Sequence, residues 1–141
     1  MMDYARALVE HPKWRWEPGM VVLDNEGASE TFVVYRVVPG FRRSPAMGYC
    51  SATDEYTFDM PTHRELGTLP DINHPATKGW LLHMLREAVE GHAFCDLEST
   101  EPDEWRVNAD YLEMDGPWDF PTAPTEGEAL AAALLAVWGP A

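Results

Sequence analysis

The segment spanning residues 76–90 constrains the fold of this chain most strongly, because it combines a helix start, an apolar stripe and a helix stop. Pro75 precedes it, where a first helical turn accepts proline, and Gly91 follows its end. Its apolar side chains recur at intervals of three and four residues: Leu81, Met84, Leu85, Ala88 and Val89. We therefore predict a helix here that buries this stripe against a sheet.

Two further helices are predicted near the ends of the sequence. Residues 3–10 favour a short helix that stops at His11-Pro12, because a residue before proline is disfavoured in helical conformation. Thr125 and Glu128 form a capping-box pair at the start of a last helix, which Gly139-Pro140 ends. The apolar stripe of this helix consists of Leu130, Leu134, Val137 and Trp138.

Strand patterns occupy much of the rest of the chain: residues 13–17, 20–23, 31–38 and 105–112, with a short candidate near 56–59. We expect 20–23 and 31–38 to pair as a hairpin, and 39–69 to form a long irregular loop. These elements predict an α+β fold with a small antiparallel sheet of about four to five strands, packed by two main helices and a short N-terminal one. The length of 141 residues suits a single compact domain over 1–141.

The overall charge disfavours several classes of partner. Twenty-four acidic residues against ten lysines and arginines give a formal net charge of −14, which repels nucleic acid and anionic lipid. No apolar run approaches the roughly 20 residues that cross a bilayer, and the first residues lack a secretory pattern. We expect a cytoplasmic protein that binds neither nucleic acid directly nor membrane.

The negative charge is concentrated in residues 96–128, which hold eleven acidic residues and only one basic residue, Arg106. Such a surface can attract a basic partner and stand in for a row of phosphates. It can equally be a solvated face that keeps the protein soluble.

Aromatic residues lie within this acidic segment. Strand alternation places Trp105 and Tyr111 in the core, whereas Trp118 and Phe120, between prolines, are predicted to be exposed anchors for a partner. The predicted partner-binding set is Asp96, Glu98, Glu101, Asp103, Glu104, Asp110, Glu113, Asp115, Trp118, Asp119 and Phe120.

Metal and catalytic motifs give little support for an enzyme. His92 and Cys95 are three residues apart, with Cys50 and His63 upstream, so a zinc site is an alternative, but the paired short spacings of such sites are missing. The sequence has no glycine-rich phosphate loop, nucleophile elbow or paired-histidine metalloprotease motif. We predict no cofactor, no metal site and no catalytic residues.

Three segments resemble a group of short phage and prophage proteins. They are HPKWRWEPGM at 11–20, PDINHPATKGWLLHMLREA at 70–88 and PTEGEALAAAL at 124–134. The resemblance implies a phage-encoded accessory protein and carries no known activity with it.

Taken with the acidic segment, this resemblance suggests a function. We expect a non-enzymatic phage inhibitor, of anti-CRISPR or anti-restriction type, that acts in the host cytoplasm. It would bind a basic nucleic-acid-handling host defence protein by imitating nucleic acid. The alternatives are a phage structural or accessory protein that forms a homo-oligomer, such as a homodimer, and a small zinc-binding protein.

Overall fold

The computed structural model describes residues 3–23, 32–37, 46–50, 53–57, 69–89, 93–111 and 120–140. These residues form three helices and six strands, and the chain is α+β, as its sequence predicts. In chain order the elements are α1 (Tyr4–Glu10), β1 (Val21–Val22), β2 (Phe32–Val37), β3 (Ala46–Cys50), β4 (Glu55–Thr57), α2 (Pro75–Ala88), β5 (Ala93–Glu101), β6 (Glu104–Tyr111) and α3 (Glu126–Trp138).

The described strands form two sheets, where a single sheet was expected. The first contains four strands in the order β1-β2-β3-β4, and the second is the hairpin of β5 and β6. Every pairing is antiparallel. The predicted hairpin of β1 and β2 is confirmed, with Val21 opposite Val33.

Helix α3 lies at the centre of the core. Its residues from Ala129 to Leu134 are all buried, so the helix is enclosed around much of its circumference. A helix that is apolar on nearly every side has to be surrounded by other elements. Helices α1 and α2 pack against it, and it also borders β6.

The predicted ends of the two main helices agree with the structure to within two residues, and the predicted apolar stripe of α2 is confirmed. The Thr125 hydroxyl accepts a 3.2 Å hydrogen bond from the Glu128 amide, as a capping box requires. In α2, Leu81, Met84 and Leu85 are buried in the core. One cap was not predicted: His74 Nδ1 accepts from the Ala76 amide at 3.2 Å.

The prediction of a strand at residues 13–17 is wrong. The segment pairs with no other described strand, although its two indoles do share the core-facing side that the alternation indicates. Trp16 is buried, and Trp14 packs edge-on against it with ring centroids 5.5 Å apart. Aromatic burial therefore holds this segment in place without a hydrogen-bonded ladder.

The prediction of an irregular loop over 39–69 is also wrong in part, because β3 and β4 lie within it. The candidate strand near 56–59 is found at Glu55–Thr57, and β5 was not predicted at all. Gly48 of β3 pairs with Val34 of β2, and glycine has no preference for strands that a sequence pattern could show. These strands form because a neighbouring strand supplies their hydrogen bonds.

Candidate functional site

The hairpin of β5 and β6, residues 93–111, carries the first part of the predicted partner-binding set, and we call it the acidic hairpin. One side faces the core through Val107, which is buried, and Leu97, which is half-buried. Leu97 and Val107 are opposite each other in the register, whereas the next pair, Glu98 and Arg106, is on the other face. Asn108 on that face is exposed. The hairpin thus presents a polar outer face.

Glu98 and Arg106 form an ion pair across the two strands. Arg106 Nε donates a 3.0 Å hydrogen bond to Glu98 Oε1, and Arg106 Nη2 contacts the same oxygen. Their side chains are 39% and 41% exposed, respectively, so water weakens this attraction. Arg106 therefore compensates the charge of Glu98 and leaves the carboxylates at the tip of the hairpin uncompensated within the described residues.

Three acidic residues lie at the tip of the acidic hairpin. Glu101 is opposite Glu104 in the register, and Pro102 and Asp103 make the turn between them. Asp103 adopts a left-handed φ of 58°, which aspartate tolerates better than most residues. No described residue makes an ion pair with these three carboxylates. Since like charges directly opposite each other weaken a hairpin, folding stability does not explain this arrangement.

The remaining acidic residues of the predicted set are only partly placed. Asp96 is opposite Asn108, and Asp110 is opposite Phe94, so both belong to the acidic hairpin by backbone position. Glu113, Asp115, Trp118 and Asp119 lie outside the described residues.

The expectation that Phe120 is an exposed anchor is wrong. Phe120 is 3% exposed and belongs to the hydrophobic core. The chain reaches this position because residues following Phe120 run beside β6: the Ala123 amide donates to the Trp105 carbonyl at 2.8 Å, and the Trp105 amide donates back at 2.7 Å. Trp105 itself is half-buried, less enclosed than a core residue.

A metal site is not found within the described ranges. No group of three histidine, cysteine, aspartate or glutamate residues there could hold a metal ion. Cys50 is a buried free thiol, and Cys95 belongs to β5. His63 and His92 lie outside the described residues, so the zinc alternative stays a prediction.

A cleft of about 390 Å³ opens beside α2 and α3. It is lined by Lys13, Arg15, Met84, Glu87, Ala88, Val137 and Trp138. Arg15 donates to Glu87 at 2.7 Å and to Glu17 at 2.8 Å, so its charge is compensated within the chain. The hydrogen bond from Arg15 holds the pKa of Glu87 below its ordinary value. Glu87 therefore stays ionised and is poorly suited to donate a proton.

The tyrosines of the first sheet form a cluster that the sequence patterns do not indicate. Tyr35, Tyr49 and Tyr56 lie on three neighbouring strands, and the ring of Tyr56 contacts the other two. Alternation along β2 could have placed Tyr35 on the outer face of the sheet, because its neighbour Val34 points to the core. Tyr49 and Tyr56 belong to strands within the predicted loop, where no such pattern is recognised.

No helix among the described residues is long and apolar enough to cross a membrane. Comparisons of the chain with family models, with curated proteins and with solved structures find no significant match.

Proposed function

We propose that this protein is a phage-encoded, non-enzymatic inhibitor that binds a basic nucleic-acid-handling host defence protein through its acidic hairpin. The observation that carries the proposal is the tip, where Glu101, Asp103 and Glu104 hold negative charge with no ion-pair partner among the described residues. The phage origin rests on the resemblance of the three segments, which carries no activity with it. The anti-CRISPR or anti-restriction class combines that origin with the acidic charge of residues 96–128.

The charge density of the tip is comparable with that of a nucleic acid strand. From Glu98 to Glu101 the chain advances about 10 Å. This end of the hairpin holds four carboxylates and one guanidinium, that of Arg106. One strand of DNA carries about three phosphates over the same length. The hairpin thus imitates the charge of a short stretch of one DNA strand, which is less than the charge of a duplex of the same length.

The position of the charge favours recognition by attraction at a distance. Glu101 and Asp103 at the tip are exposed to solvent, as is Asn108 on the outer face of the hairpin. Exposed carboxylates steer a basic partner and speed its association, and salt screens this effect over about 10 Å at 0.1 M. Binding should therefore weaken as the salt concentration rises.

The test compares three forms of the chain as bait in host lysate. The hairpin variant carries Glu101→Gln, Asp103→Asn and Glu104→Gln, which remove three charges and keep side-chain shape; asparagine suits the left-handed φ at 103. The matched control carries Asp3→Asn, Glu10→Gln and Glu17→Gln, which remove the same formal charge on α1 and the segment that follows it; asparagine can still cap α1 at position 3. Captured proteins are eluted by steps of salt and by added duplex DNA, and identified by mass spectrometry.

We expect the wild-type chain and the matched control to retain the same basic nucleic-acid-binding protein, which salt and DNA both release. The hairpin variant should lose it. Equal capture by the hairpin variant would show that the tip is a solvated surface. Release by salt but not by DNA would contradict nucleic acid mimicry. A salt-resistant homodimer in sedimentation, with no captured protein, would favour the assembly role.

A further inference from the structure

The outer face of the first sheet carries a cluster of tyrosines, one on each of three strands, which we call the tyrosine face: Tyr35, Tyr49 and Tyr56. The ring centroids of Tyr35 and Tyr56 are 4.6 Å apart, and those of Tyr49 and Tyr56 are 5.1 Å apart. Tyr35 is 54% exposed and Tyr56 is 57% exposed. Within the described residues these are the exposed large hydrophobic side chains.

The sheet places the tyrosine face away from the core. Tyr49 is opposite Tyr56 in the register, whereas the adjacent Cys50 is buried on the other side. Val34, next to Tyr35, is also buried. Tyr56 contacts both other rings, and more than half of the Tyr35 and Tyr56 surface stays in water. Clustered exposed tyrosines are typical of protein interfaces, where they act as anchors.

A carboxylate lies at the border of this cluster. The Tyr49 hydroxyl donates a 2.5 Å hydrogen bond to Asp54 Oδ1. This hydrogen bond raises the pKa of Tyr49 above its ordinary value. The faces of aromatic rings are electron-rich and attract cations, guanidinium groups especially. Rings and carboxylate together therefore favour a positively charged occupant.

We propose that the tyrosine face is a binding site for arginine side chains of a basic protein partner, with guanidinium groups stacked on Tyr35 and Tyr56 and attracted by Asp54. The proposal rests on the proposed function in taking the partner to be basic. Charge argues against the other occupants, since the chain carries −14. Single-stranded nucleic acid and a second copy of the chain would both bring further negative charge to the surface.

The test uses the full chain, labelled with ¹⁵N, and a short peptide in which arginine alternates with glycine. A peptide with lysine in place of arginine has the same charge but stacks less well on aromatic rings. We expect the arginine peptide to shift the amide signals of β2, β3 and β4 around the tyrosine face, and to bind several-fold more tightly than the lysine peptide. These shifts should persist in the hairpin variant, which separates this site from the acidic hairpin.

Substitutions on the tyrosine face complete the test. The double substitution Tyr35→Ser and Tyr56→Ser should lower the affinity for the arginine peptide about tenfold. Tyr35→Phe with Tyr56→Phe keeps both rings and should retain binding. Because both side chains are exposed, circular dichroism should show an unchanged fold.

Four outcomes would overturn this proposal. They are an absence of shifts at the tyrosine face, equal binding of both peptides with loss in the hairpin variant, stronger shifts with oligothymidine, and shifts that depend on protein concentration alone. Loss of the lysate partner only in the hairpin variant, together with no arginine binding, would refute the tyrosine face and leave the proposed function intact. Arginine binding without a hairpin-dependent partner would do the reverse.

Discussion

The amide of Gly127, in the first turn of α3, donates a 3.2 Å hydrogen bond to Asn73 Oδ1 in the turn before α2. The first turn of α3 lies so close to the turn before α2 that a Cβ at position 127 would overlap the carbonyl oxygen of Ile72 and lie 2.6 Å from Asn73 Oδ1. Glycine is therefore required for this approach.

Gly127→Ala is expected to destabilise the protein by about 1–3 kcal/mol, since the added methyl group has to displace backbone. Gly79→Ala is the matched control: Gly79 lies inside α2 with no atom within 4 Å of an added Cβ. It should stabilise by roughly 0.5–1 kcal/mol through helix propensity. Urea unfolding followed by circular dichroism measures both. Equal effects of the two substitutions would contradict the close approach.

Thr77 links α2 to the first sheet through a buried hydrogen bond. Its hydroxyl oxygen accepts from the Val21 amide at 3.0 Å, and the residue is fully buried. Thr77→Val keeps the shape but leaves that amide unpaired, and should cost about 1–3 kcal/mol. Thr77→Ser keeps the hydroxyl and loses one methyl group, about 0.8 kcal/mol. Hydrogen exchange of the Val21 amide should be faster in the valine variant than in the serine variant; similar rates would refute the link.

His11 joins the start of the described chain to its end. Its Nε2 lies 3.0 Å from the Gly139 carbonyl oxygen, its Nδ1 accepts from the Lys13 amide, and its ring stacks on Trp138. His11→Phe retains stacking but loses both hydrogen bonds, so it should lower the free energy of unfolding by about 1–3 kcal/mol. His83→Phe is the control: it removes a solvent-exposed pair with Glu87 on α2 and should change the free energy of unfolding by no more than about 0.5 kcal/mol. If His11→Phe left the free energy of unfolding unchanged, the stacking on Trp138 alone would hold this end of α3.

Glu87 should make stability depend on pH in the acid range. Its folded-state pKa is lowered, first by the hydrogen bond from Arg15, so its stabilising contribution is present above the unfolded-state pKa of about 4.3. That contribution is lost as the pH falls through the lower folded-state pKa. Glu87→Gln should therefore be less stable than wild type near pH 6, and the two should converge as the carboxylate is protonated. Urea curves at several pH values test this; a constant difference down to pH 2 would contradict it.

Local signals in the sequence were sufficient for the helices and for one hairpin. Pro75, the Thr125 capping box and the stripe of α2 depend on residues within a few positions of one another, and the structure confirms them. The hairpin of β1 and β2 follows from two β-branched runs close together in the chain. The clustering of acidic residues in one segment is likewise plain from the sequence.

The sequence alone therefore determined the α+β class, the main helices, the first hairpin and the acidic character of residues 96–128. The tertiary structure decided which strands pair, because β3 and β5 depend on hydrogen bonds from neighbouring strands. It also decided which aromatic side chains meet water. Phe120 is buried because its segment bridges to Trp105, and Tyr35 and Tyr56 are exposed together because three strands align them. Alternation along β2 indicates the outward position of Tyr35, but only pairing between distant segments brings Tyr56 beside it and buries Phe120.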